Sequence, residues 1–98
     1  MQKMNLEEFR KIAHEYYAGA EDVLVKKQND YGPTNIANAP GGALNGLRVR
    51  IHDKVSRINH LIDSGVTPEN ESLKDSFLDL ANYSIIAMMV LDKKWPEK

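Results

Sequence analysis

The chain has 98 residues, with 13 Lys and Arg against 14 Asp and Glu and a formal net charge of -1. That length holds a single domain (1–98) with a modest core, for which a partner subunit is a reasonable expectation, and the balanced charge gives no overall pull towards DNA, RNA or a membrane surface. The absence of cysteine excludes disulfides, thiolate metal sites and a cysteine nucleophile; with no apolar leader core in MQKMNLEEFRK and a longest apolar run, 85–91, too short to span a bilayer, the expected location is the cytoplasm.

Asn5, with Glu8 three residues on, makes a capping-box-like start. Behind it Leu6, Phe9, Ile12, Ala13, Tyr16, Ala20, Val23 and Leu24 recur at helical spacing, which predicts a first helix over residues 6–29. The Gly-, Pro- and Asn-rich segment that follows reads as an ordered loop over 30–42, long enough to suggest a function. Leu44, Leu47, Ile51, Val55, Ile58 and Ile62 then alternate three and four apart. They form the seam of an amphipathic second helix, 43–63, stopped near Gly65. Thr67-Pro68 or Asn70 opens a third helix, 70–93, with Lys93 and Lys94 favouring its C-terminal dipole and Trp95-Pro96 ending it. Nothing reads as a strand.

The fold class expected is therefore all-α, with three long helices in an antiparallel bundle. Beyond residue 80 the third helix has almost no polar face, and two helices of one chain cannot cover every side of it. A homo-oligomer, dimer or higher, with Ile86, Met89 and Val90 buried between subunits, is the expected completion.

Glu71, Asp75 and Asp79 follow one another at four-residue spacing, with no cation on the same face to neutralise them. Across the bundle, the second helix offers Arg50, Asp53, Lys54 and Arg57. Two readings stand side by side. In one, Arg50, Asp53 and Arg57 pair within their own helix and the third helix's carboxylates form a solvated face. In the other, Asp53, Glu71, Asp75 and Asp79 form a hard oxygen cage for Mg²⁺, while Arg50, Lys54, Arg57 and the loop lysines hold phosphates. In the loop KKQNDYGPTNI, Lys26 and Lys27 end the first helix, where its dipole favours cations, and Asn29, Asp30, Tyr31 and Asn35 could stack on and read a base, or Tyr31 could simply be tucked into the core. His14 and His52-Asp53 imitate a metal phosphohydrolase pattern, but His52 lies beside the apolar seam and reads as a helix-flank residue.

Three segments together, KKQNDYG, GLRVRIHDKVSRINHLI and ESLKDSFLDLANYSIIAMMVL, resemble the nucleotide modification associated domain 1 family of phage and bacterial proteins. That family is in turn similar to the all-α, MazG-like nucleoside triphosphate pyrophosphohydrolases. The resemblance spans residues 22–92. It implies a Mg²⁺-dependent attack of water on a (deoxy)nucleoside triphosphate, releasing monophosphate and pyrophosphate, in a phage or bacterial cytoplasm. Asp75 and Asp79 match the metal-binding pair of the family's second acidic helix, Glu71 stands a turn earlier, and Asp53 matches one acid of the first. Asp53 and Glu71 complete the cage or position the attacking water, and Asn82 and Tyr83 shape the adjacent pocket.

There are departures. Asp75 and Asp79 are four apart rather than three, and Arg57 stands where a second acid is expected. They imply either a single metal or a helical module that binds or sequesters nucleotide without hydrolysing it.

Overall fold

A computed structural model describes residues 3–97. The chain folds into α1 (Leu6–Tyr31), the short α2 (Thr34–Ala37), α3 (Ala43–Ser64) and α4 (Leu73–Leu91), with no strand among the described residues. The all-α class and the three long helices are as expected. No helix among the described residues is long and apolar enough to cross a membrane.

The helix ends follow local chemistry. Asn5 caps α1, its side chain accepting the Glu8 amide at 2.8 Å. The helix runs two residues beyond the predicted end, to Tyr31, where Gly32 takes φ 68° and returns its N–H to the Gln28 carbonyl. Positive φ suits glycine, so the chain can turn there without a Cβ clash. The predicted loop contains α2, too short to show a helical period. Gly65 ends α3 in the left-handed conformation.

The start of α4 departs from expectation. Its N-cap is neither Thr67 nor Asn70 but Ser72, which forms a reciprocal capping box with Asp75. At the other end α4 stops at Leu91, and Lys93 adopts φ 58°. That turn sends Trp95 back over the body, where its indole N–H donates to the Pro33 carbonyl at 3.1 Å.

α3 and α4 form the body. Leu47 joins Ile86 in the core, Lys54 meets Asp79 and Arg57 meets Ser76, so positions rise on one helix as they fall on the other and the pair is antiparallel. Ile36, Leu47 and Ile86 make a small buried cluster, with Leu24, Tyr83, Val90 and Trp95 packed against it. Gly46 lets the segment after α2 approach α3, because a Cβ there would lie 2.5 Å from the Ala39 Cβ.

Two packing expectations are corrected. Ile86, 6 % exposed, is buried by its own chain rather than between subunits, because α2 and the returning Trp95 cover a side of α4 that three helices alone would leave bare. The α3 seam also splits. Of its predicted members Leu47 and Ile58 are buried, Ile51 is half-buried and Leu44, Val55 and Ile62 are exposed, while Leu61, outside the predicted seam, is buried, since α3 turns Lys54 and Arg57 towards α4.

α1 leans chiefly on α4. Two long-range polar ties hold its second half there: Asn82 donates to the Ala20 carbonyl at 3.1 Å, and Lys27 pairs with Asp79 at 2.8 Å. None of its 26 residues is buried.

Candidate functional site

The charged residues of three helices meet at one place. Lys54 of α3 puts its ammonium 2.7 Å from Glu71 Oε1 and 2.9 Å from Asp79 Oδ2. Lys27 of α1 takes the other Asp79 oxygen at 2.8 Å. Arg57 donates through Nε to Ser76 Oγ at 3.2 Å, lies 3.2 Å from Glu71 Oε2, and reaches the Glu71 backbone carbonyl with Nη2. Ser76, fully buried, donates its hydroxyl proton to Glu71 Oε2 at 2.6 Å. Three cations face two carboxylates, which leaves the cluster one positive charge in excess within a chain of net charge -1.

Each group is tuned by its neighbours. Burial pushes the Asp79 carboxyl up, but the ammoniums of Lys27 and Lys54 outweigh it and hold the carboxyl below its ordinary value. The hydrogen bond from Lys54, and then that from Ser76, hold Glu71 low against a smaller opposing effect of burial. Burial alone would lower Lys54, yet Glu71 and Asp79 together raise it. Its bond to Asp79 raises Lys27, with burial opposing. All four groups favour their charged forms.

The expected site residues divide into those the fold assembles and those it does not. Glu71, Asp79, Lys27, Lys54 and Arg57 form the cluster. Asp75 is held in the Ser72 capping box. Asp53 is exposed and makes no ion pair among the described residues, so the pairing of Arg50, Asp53 and Arg57 within α3 is not formed. Asn29 is exposed.

The four carboxylates therefore do not converge. Among the described residues no group of three or more His, Cys, Asp or Glu side chains is placed to hold a metal ion. Only Glu71 and Asp79 converge on one point, and the Lys54 ammonium holds it. Two carboxylates can serve a single Mg²⁺ that takes its other ligands from water and phosphate, so this pair is what could bind one.

Beside the cluster opens a cavity of about 210 Å³ whose lining includes Lys27, Tyr31, Arg50, Asp79, Tyr83 and Trp95, with Asn82 in its wall. Small-molecule sites usually begin at about 300 Å³, so it would enclose one part of a ligand and leave the rest in its mouth. Arg50 lines it with one hydrogen bond, Nη2 to the Asn35 carbonyl at 3.3 Å, out of the five donors a guanidinium carries. Tyr31 is exposed, with its ring at the rim rather than in the core.

The sequence profile of the family described as nucleotide modification associated domain 1 matches residues 27–91. The chain belongs to that family. The match begins at Lys27 and takes in every residue of the charged cluster, while Trp95 lies beyond it. No curated protein and no solved structure matches the chain.

Two residues of this family member's site escaped the sequence reading. Ser76 sits three residues before Asp79 and seven before Tyr83, the helical spacing of one face, and that spacing was the available signal. Trp95 gave none, because its position depends on the left-handed turn at Lys93.

Proposed function

We propose that this chain binds a nucleotide in the cleft beside the charged cluster. The ligand's phosphates lie against Lys27 and Arg50, with Lys54 and Arg57 behind them, and its base lies among Tyr31, Tyr83 and Trp95. The observation that carries the reading is the placing of Lys27 and Arg50 on two walls of an aromatic-lined cavity, where Arg50 keeps most of its donors for a ligand. A guanidinium beside an ammonium suits phosphate oxygens, and an aromatic face suits any base. The family description, nucleotide modification associated, supports the same ligand class. Binding without hydrolysis needs nothing more than the residues as folded.

Hydrolysis of a triphosphate to monophosphate and pyrophosphate is the second reading, and the convergence of Glu71 and Asp79 on a single cation favours it. A Mg²⁺ at that point would neutralise phosphate charge, and Lys54 would have to yield its place. The working unit in either reading is a homo-oligomer.

Titration calorimetry with nucleoside, mono-, di- and triphosphate of several bases, with and without Mg²⁺, followed by chromatography of the ligand, separates the readings. Binding that strengthens with phosphate number and leaves the ligand intact supports the binding module. Monophosphate and pyrophosphate appearing only with Mg²⁺ supports hydrolysis, and no binding by any member of the panel overturns both.

A further inference from the structure

The chain exposes 7825 Å², whereas a folded monomer of its mass exposes about 5,700 Å². Its radius of gyration is 15.7 Å, against about 12.6 Å for a compact chain of this length. An unpartnered fold of this size is too open.

One open region lies where the first half of α1 departs from the body. Between that half and the start of α4 runs a cleft of about 790 Å³, lined by Phe9, Ile12, Ala13, Tyr16, Phe77 and Leu78 among others. Phe9 is 57 %, Tyr16 66 % and Phe77 49 % exposed. Helices owe most of their stability in proteins to packing of an apolar face. In residues 6–19 the face formed by Leu6, Phe9, Ile12 and Tyr16 has too little to pack against.

We propose that a second copy of this chain covers the cleft, the α1 stripe of each protomer lying over the α1–α4 cleft of the other in a twofold arrangement. The area argues for this occupant. If each copy hides its excess, the pair buries about 4,300 Å², within the range of obligate dimers and well above what a peptide or small ligand would remove. The charges agree, since a twofold interface sets each patch against itself and needs both signs. The cleft wall carries Glu15, Lys74 and Asp75, with the Lys74 ammonium 5.6 Å from the centre of the Tyr16 ring. This deepens the oligomeric part of the proposed function and is independent of nucleotide binding.

The test is sedimentation equilibrium at micromolar concentration on wild type, Phe9→Glu, Phe77→Glu and Met88→Glu, each checked for helix content by circular dichroism. The expected result is twice the chain mass for wild type and Met88→Glu, and the single-chain mass for both phenylalanine variants with helix retained. Hydrogen exchange of the wild type covers the case in which a variant unfolds: amides of 6–19 and 74–81 should slow as concentration rises. A monomeric wild type sinks the oligomer altogether. A dimer that survives both phenylalanine changes but falls to Met88→Glu keeps the oligomer and overturns this surface, as does exchange in 6–19 that ignores concentration.

Discussion

Lys54 and Asp79 face each other across the α3–α4 contact at 2.9 Å, and the same ammonium holds Glu71 at 2.7 Å. One cation thus separates two carboxylates that would otherwise repel, and it ties the residue before the α4 N-cap to the middle of that helix. Lys54→Met should lower stability by about 2 kcal/mol, or roughly 10 °C in Tm for a chain of this size. A thermal melt checks this. A change under about 0.5 kcal/mol would place the pair among solvated surface bridges.

The same variant bears on the metal. The wild-type cluster carries excess positive charge, so its Tm without nucleotide should be indifferent to millimolar Mg²⁺ and to chelator. Lys54→Met leaves Glu71 and Asp79 converging on an empty point and should gain a Mg²⁺-dependent rise in Tm. A wild type already stabilised by Mg²⁺ would show that the ammonium gives way unaided.

The pH dependence follows from the signs of the shifts. Asp79 and Glu71 titrate lower in the folded chain than in the unfolded one, so their stabilisation is complete above the unfolded values, about 4. It is lost as pH falls through the folded values. Lys27 and Lys54 titrate higher when folded, so theirs is complete below about 10.4 and is lost as pH rises through the folded values. Stability should be flat between about pH 5.5 and 9.5 and fall outside it, and Asp79→Asn should flatten the acid limb in denaturant titrations across pH.

Asp75 separates cap from cage. It accepts from the Ser72 amide, so Asp75→Ala should reduce stability by about 1 kcal/mol or less and leave triphosphate affinity unchanged in calorimetry. Loss of binding without loss of stability would return Asp75 to the site.

Trp95 is the only tryptophan and lines the cavity, so nucleotide should change its fluorescence saturably. Trp95→Phe keeps an aromatic wall and loses only the bond to Pro33, at about 1 kcal/mol. Trp95→Ala removes the wall and should weaken nucleotide binding about tenfold. Equal affinity for Trp95→Ala and wild type would put the base elsewhere.

Elements with a long period were legible in the sequence: the α1 start at Asn5, the spans of α1 and α3, and the meeting of Lys54 and Arg57 with an acidic partner. The acidic run was legible as a feature and misleading as geometry. Four-residue spacing stacks side chains only inside a helix, and here the run crosses a helix start: Glu71 precedes the cap and reaches Lys54 from outside the helix, Asp75 turns back to the cap, and Asp79 reaches Lys54 from within the helix. The split of the α3 seam was hidden because its residues are all apolar, and only the partner helix decides which are covered. Position in space after a break, as with Ile36 and Trp95, depends on single turns that no period records.

The closing contact of Trp95 on Pro33 also bears on how the protein is cut for experiment. The family match runs from 27 to 91, yet α1 is tied down through the Ala20 carbonyl and the cavity is finished by an indole four residues past the match. A fragment trimmed to 27–91 would keep all five charged side chains of the cluster and lose both the strut and the wall that give them an inside. On the proposed function, such a fragment should bind nucleotide more weakly than the chain, and expression boundaries are better set by these two hydrogen bonds than by sequence similarity.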